Sequence, residues 1–198
     1  MPSSQIAHSI QFREFVLAGQ PAATSVFYES FPRDQITTDC AIGATTLITA
    51  VAVGLYAGDI ITKISVCVGA TAGATLTHNF VVLYSGATIP LLLAQSTDAA
   101  QAAMAANTVF TGTLTAAFTV PSTGLYWAGI LVTGTTIPTL LGKVTNLNAT
   151  AAAALNTLIG GTAVNGVAVT ATGAAGATAP ATMASLTQLA VQPYVLLQ

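Results

Sequence analysis

The sequence predicts an all-β fold, an antiparallel β-sandwich, and three observations carry that expectation. Between Gly58 and Gly142 the segments DIITKISVCVG, HNFVVLYSG, NTVFTGTLTAAFTV and LYWAGILVTG are apolar runs rich in Val, Ile, Thr and aromatics. Each closes on Gly, Pro, Ser or Asn, which is strand signal followed by turn punctuation. In the run after Gly58, Ile60, Thr62, Ile64, Val66 and Val68 share one face while Ile61, Lys63, Ser65 and Cys67 share the other. That period of two belongs to a strand with one face on a core. Finally, Gly86, Thr88, Ile89, Pro90, Leu92 and Leu93 recur as Gly134, Thr136, Ile137, Pro138, Leu140 and Leu141, an echo that two equivalent strand, turn and strand corners would produce.

Taken in order, residues 1–39 form an N-terminal arm or first strand, 40–145 the sandwich core, and 146–198 a Gly/Ala/Thr-rich loop region with a closing strand of the same domain. The arm holds six of the ten charged residues and five of the thirteen aromatics. Phe12, Arg13, Phe15, Phe27, Tyr28, Phe31 and Arg33 are its candidate partner contacts, because aromatics and Arg anchor interfaces. The bland alternative is that the arm is the first strand of the sandwich. From 41 to 57 one or two strands are expected, with Leu47, Thr49, Val51 and Val53 facing one way, and a Gly58–Asp59 turn follows. HNFVVLYSG pairs with the strand before it, and Pro90 opens a short strand where its missing N–H costs no ladder bond. TDAAQAAMAANT reads as a brief helix capped by Thr97 or Asp98 and closed at Asn107. PSTG at 121–124 joins the next two strands. Trp127, the sole tryptophan, is a core anchor or an exposed platform for a ligand. NLNATAAAALNTLIGG supplies a second short helix, and LTQLAVQPYVLLQ returns to strand pattern.

Charged residues make up 5% of the 198, against about 25% in an ordinary soluble domain. A surface this poor in charge is better packed against neighbours than kept apart in solution. The net charge of -2 without a basic cluster argues against nucleic acid, whose binding rests on neutralising phosphates. The mean hydropathy of +0.74 and the uncharged stretch between Asp39 and Asp59 raise the question of a membrane span. Gly43, Gly54 and Gly58, three threonines and acidic flanks favour two buried strands instead, so no membrane contact is expected. MPSSQIAHSIQFREF lacks the basic start and apolar core of a secretion signal, and Cys40 and Cys67 are two isolated thiols that suit synthesis in a reducing cytoplasm.

No arrangement for chemistry emerges. His8 and His78 are the only histidines and lie seventy residues apart, outside any zinc-ligand spacing. No nucleophile elbow, dinucleotide fingerprint or phosphate loop occurs. Asp59 and Asp98 are the only carboxylates after Asp39 and are expected as turn and cap. Catalytic, metal and cofactor residues are therefore none, and a structural or binding role is expected.

LYAGDIITKISVCVGATAG, NFVVLYSG, LLLAQS, AANTVFTGTLTAAFTVPSTGLYWAGILV and TIPTLLG, between residues 55 and 142, resemble small Ala/Thr/Gly-rich virion structural proteins of tailed actinobacterial-type bacteriophages. The resemblance is one of style and strand order and carries over no functional residue. It implies a jelly-roll or related sandwich on the virion exterior, made in the host bacterial cytoplasm and used as a head decoration protein. The implied partners are the major capsid protein or other virion subunits, and further copies of the chain in a homo-oligomer, a trimer foremost. The alternative is a tail tip or fibre module binding host glycan, for which Trp127, Asn79 and Asn107 are the platform candidates. A free carbohydrate-binding module is the third class.

Overall fold

The computed structural model describes residues 28–42, 47–87, 89–99, 103–144, 168–173, 176 and 178–198. Among these residues thirteen strands follow one another: β1 (Tyr28–Glu29), β2 (Thr38–Ala41), β3 (Leu47–Leu55), β4 (Ile60–Cys67), β5 (Ala74–Ser85), β6 (Leu92–Gln95) and β7 (Val109–Thr119), then β8 (Gly124–Thr136), β9 (Thr139–Val144), β10 (Ala168–Thr172), β11 (Ala184–Gln188), β12 (Val191–Pro193) and β13 (Val195–Leu197). One sheet runs β1-β13-β4-β7, a second runs β11-β10-β3-β8-β5-β6, and a small third runs β12-β9-β2. Setting aside β2 and β9 to β12, the remaining eight strands in chain order lie 1-8-3-6 in one sheet and 2-7-4-5 in the other. That interleaving is the double-sheet jelly roll.

The first core lies between these sheets. Val51, Val53 and Leu55 of β3, Ile61, Ile64 and Val66 of β4, Val81 and Leu83 of β5, Ile130 of β8 and Val195 and Leu197 of β13 belong to one buried cluster. The alternation read in β4 breaks at one point. The N–H groups of Thr62 and Lys63 both donate to the carbonyl of Gln198, at 2.6 and 2.9 Å, and the register against β7 shifts there. Two consecutive donors on one acceptor insert an extra residue. Ile61 and Ile64, read on opposite faces, consequently both face the core, and Ile60 is turned out to solvent.

A second apolar cluster lies on the other face of the six-stranded sheet: Ile48, Ala50, Phe80, Val82, Tyr84, Leu131, Val169, Ala171, Ala179 and Met183. The chain leading into β11 encloses it. Leu91 and Thr182 form an antiparallel bridge, Leu92 N–H donates to Ala181 C=O at 2.8 Å and Met183 N–H to Pro90 C=O at 3.0 Å. The Tyr84 hydroxyl donates to the Pro180 carbonyl at 2.8 Å. The chain just before β11 is thereby joined to the start of β6, which shortens the stretch of open edge that could recruit other strands. β3, β8 and β5 are thus buried on both faces, which is why they read as continuous apolar runs and why the stretch after Asp39 has the hydropathy of a span. Among the described residues, no helix is long and apolar enough to cross a membrane.

The helix expected over 97–107 is absent from 97–99 and 103–107, residues 100–102 lying outside the described set. Asp98 spends its carboxylate on β5 instead of a cap, accepting from the Asn79 N–H. Met104 is buried in the first core while its carbonyl accepts from the Gly73 N–H at 2.9 Å, and Asn107 turns the chain with φ 57. A helix so short has little stability of its own, and these tertiary contacts extend it. The second expected helix, at 146–161, lies outside the described residues.

Cys40 and Cys67 are free thiols. Cys40 is fully buried, and burial, helped by the neighbouring Asp39 carboxylate, pushes its thiol up to about 11. An unfolded chain ionises this group near 9, so its contribution to stability is complete below pH 9 and is lost as pH rises through 11. Between pH 8 and pH 10 the loss is about 1 kcal/mol. Urea midpoints at the two pH values should fall for the native sequence and fall less for Cys40→Ala. Tyr84 and Tyr194, whose phenols burial also pushes up, add to the decline at higher pH.

Candidate interaction surface

Three connections meet at one end of the sandwich. In the turn between β3 and β4, Gly58 adopts φ 90, a left-handed conformation that glycine reaches without strain. Asp59 N–H closes the turn on Tyr56 C=O at 3.1 Å, and the Asp59 carboxylate accepts from the Tyr56 N–H at 2.9 Å. This turn is stitched to the one between β7 and β8 by Gly58 N–H on Val120 C=O at 2.8 Å and Ala57 N–H on the Thr123 hydroxyl at 3.0 Å. The Tyr126 hydroxyl donates to Ser122 C=O at 2.7 Å and braces the second turn. The third connection, β5 to β6, is closed by Leu91 N–H on the Ser85 hydroxyl at 2.9 Å. Gly86 there lies so close to β8 that a Cβ would stand 1.9 Å from the Leu125 carbonyl oxygen. An open cleft of about 320 Å³ runs between the last two connections, lined by Ser85, Gly86, Leu93, Pro121, Gly124 and Leu125 among others.

Five large hydrophobic side chains around this end are exposed. Leu125 is 66% exposed, Ile89 64%, Ile60 60%, Leu91 52% and Tyr56 37%. Among the described residues only Val109 and Val144 are exposed in the same way elsewhere. Single exposed hydrophobes are ordinary; five on three hydrogen-bonded turns form a patch of the kind that marks a contact with another molecule.

Of the residues singled out from the sequence, Tyr28 joins this end. It is half-buried in β1, its ring stands 6.4 Å from that of Tyr56, and its hydroxyl donates to Asp59. Phe31 is buried in the domain itself, edge-on to Tyr194 at 5.5 Å, with the Lys143 ammonium 4.5 Å over its ring. Arg33 pairs with Glu29 on an exposed surface. Phe12, Arg13, Phe15 and Phe27 lie outside the described residues. Trp127 is half-buried against the second cluster, opposite Ala52 and Tyr84 of the neighbouring strands, so its ring serves packing. Asn107 is exposed in a turn where its N–H donates to the Gly69 carbonyl at 2.9 Å, and Asn79 is fully buried. The patch residues themselves escaped the sequence reading. Leu125 and Ile60 sit in strands whose alternation assigns them to a core, and only their places beside turns distinguish them.

One polar pair could suggest chemistry: His78 Nδ1 meets an Asp98 oxygen, whose partner oxygen accepts from the Asn79 N–H at 3.0 Å. Neighbouring hydroxyls are committed to the backbone: Ser96 Oγ accepts from the Val81 N–H and donates to Thr97 C=O, and Thr77 Oγ1 donates to Thr133 C=O. The pair therefore staples residues 97–99 to β5. Among the described residues no group of three or more His, Cys, Asp or Glu side chains could hold a metal ion. No protein-family model matches the chain, and no curated protein matches it.

Proposed function

We propose that this chain is a structural protein of a tailed-phage virion, a decoration protein that binds the major capsid protein shell and stabilises it as a homo-oligomer. The observation that supports the reading is the bare aliphatic end on a jelly roll whose surface carries few charges. Such an end gains by being covered, at about 25 cal/mol for each Å² removed from water. A charge-poor surface also lets copies and shell subunits pack without repulsion. The jelly roll is shared with viral capsid and lectin domains, and because one fold hosts many roles the weight rests on the surface.

Co-sedimentation of the purified full chain with virus-like heads tests this directly. Saturable binding is expected, and Leu125→Glu, placed where solvent tolerates it, should weaken binding at least tenfold, the loss produced by about 1.4 kcal/mol. Absence of binding to heads, with binding to host cell walls, would overturn decoration in favour of a tail module.

A further inference from the structure

We infer that the aliphatic end is the seat of residues 1–27 donated by a second copy of this chain. The inference deepens the reading of this end as a subunit contact and rests on it. Three observations point to that occupant.

The first is where the segment ends. Tyr28, the residue that follows it, pairs with Leu197 at the edge of the four-stranded sheet, packs on Tyr56 and donates to Asp59 in the β3–β4 turn. The segment therefore enters the fold at the same end as the bare patch. The second is its chemistry. Ile6, Ile10, Phe12, Phe15, Leu17 and Phe27 supply apolar anchors, while Arg13 and Glu14 are its only charged side chains and cancel. An apolar strip without net charge suits a surface of exposed aliphatic side chains. The third is that no described residue covers the patch, with Leu125, Ile89 and Ile60 each at least 60% exposed, while a chain with 5% charged residues is better packed against its own copies than kept apart from them. Twenty-seven residues reach up to about 90 Å when extended, several times the roughly 16 Å radius of gyration expected for a chain of this length. A neighbouring subunit is well within range.

Repeated around a ring, such a donation is head-to-tail and closes a symmetric oligomer. It also gives the shell several linked attachment points, which raises avidity without new contacts. Loss of the seat then weakens attachment even where the shell touches a different face.

A photo-crosslink on the full chain tests the inference without any heads. A copy carrying Leu125→p-benzoylphenylalanine is co-expressed with an affinity-tagged unsubstituted copy and irradiated. A second copy carrying Ile89→p-benzoylphenylalanine guards against a local defect at one position. The expected product is a covalent adduct of the two chains whose junction maps within residues 1–27 of the tagged copy. Phe12→Glu with Phe15→Glu in that tagged copy should lower its yield at least fivefold. Junctions confined to one chain, junctions outside residues 1–27, or no adduct from either position would overturn it. Failure of head binding with the adduct intact would sink decoration alone.

Discussion

Phe80→Ala should lower the free energy of unfolding by about 3–5 kcal/mol, the range for truncating a large buried aromatic. Phe80 lies in the middle of β5 with no exposed surface, among Ile48, Val82, Tyr84 and Leu131. Its loss leaves a cavity on the side of the sheet that faces away from the sandwich core. Were that side only loosely covered, the neighbours would collapse or water would enter, and the cost would be small. The chain joined to β6 just before β11, with Pro180 held by the Tyr84 hydroxyl, argues for a large one. Urea unfolding followed by Trp127 fluorescence and by far-ultraviolet circular dichroism measures it. Because β3, β8 and β5 serve both cores, the two probes should give one transition and one shift. Val109→Ala, at an exposed position, should change the free energy of unfolding by less than about 0.5 kcal/mol. A Phe80→Ala cost below about 1 kcal/mol would mean that the second cluster is not a core.

How far the fold could be read from residues depended on how local each cause was. The existence of β4, β5, β7 and β8 follows from their composition and turns, and the antiparallel sandwich follows from them. The joining of the chain before β11 to the start of β6 does not, because Leu91 meets Thr182 across ninety residues and nothing in the Ala/Thr sequence around Thr182 announces it. The bulge at Thr62 was equally hidden, since it depends on the Gln198 carbonyl at the far end of the chain. The internal echo was legible as sequence and misleading as geometry. Both glycines, Gly86 and Gly134, sit where a neighbour leaves no room for a Cβ, and both prolines precede short strands. Yet β6 folds back on β5, whereas β9 crosses to pair with β2 and β12. Pairing partners are chosen by the whole sheet, and a repeated corner does not record them. The patch was illegible for a related reason: alternation tells which face a residue takes, but not where along a strand the core stops.

Gly86→Ala should separate the patch from the rest of the fold. An alanine Cβ would stand 1.9 Å from the Leu125 carbonyl oxygen and 2.8 Å from its carbon. Both are backbone atoms of a strand, so neither can swing aside, and the β5–β6 connection must move away from β8. The cleft between them then widens, and Ile89 and Leu91 lose their setting beside Leu125. Overpacking of this kind costs about 1–3 kcal/mol, less than Phe80→Ala, because the strain sits at the end of the sandwich and leaves both clusters intact. Binding should suffer more than stability, with head co-sedimentation falling at least tenfold while the urea midpoint drops modestly. Gly54→Ala is the matched control. It lies opposite Leu125 in β3 with no atom within 4 Å of the new methyl, and removing a glycine from a strand tends to stabilise it. Its binding and its midpoint should stay level or rise. Equal binding by Gly86→Ala and Gly54→Ala, with only the former destabilised, would detach this end of the molecule from its partner. A fall confined to Gly86→Ala ties attachment to the geometry of the three turns, since the two variants differ by the same methyl group and only one of them disturbs that geometry.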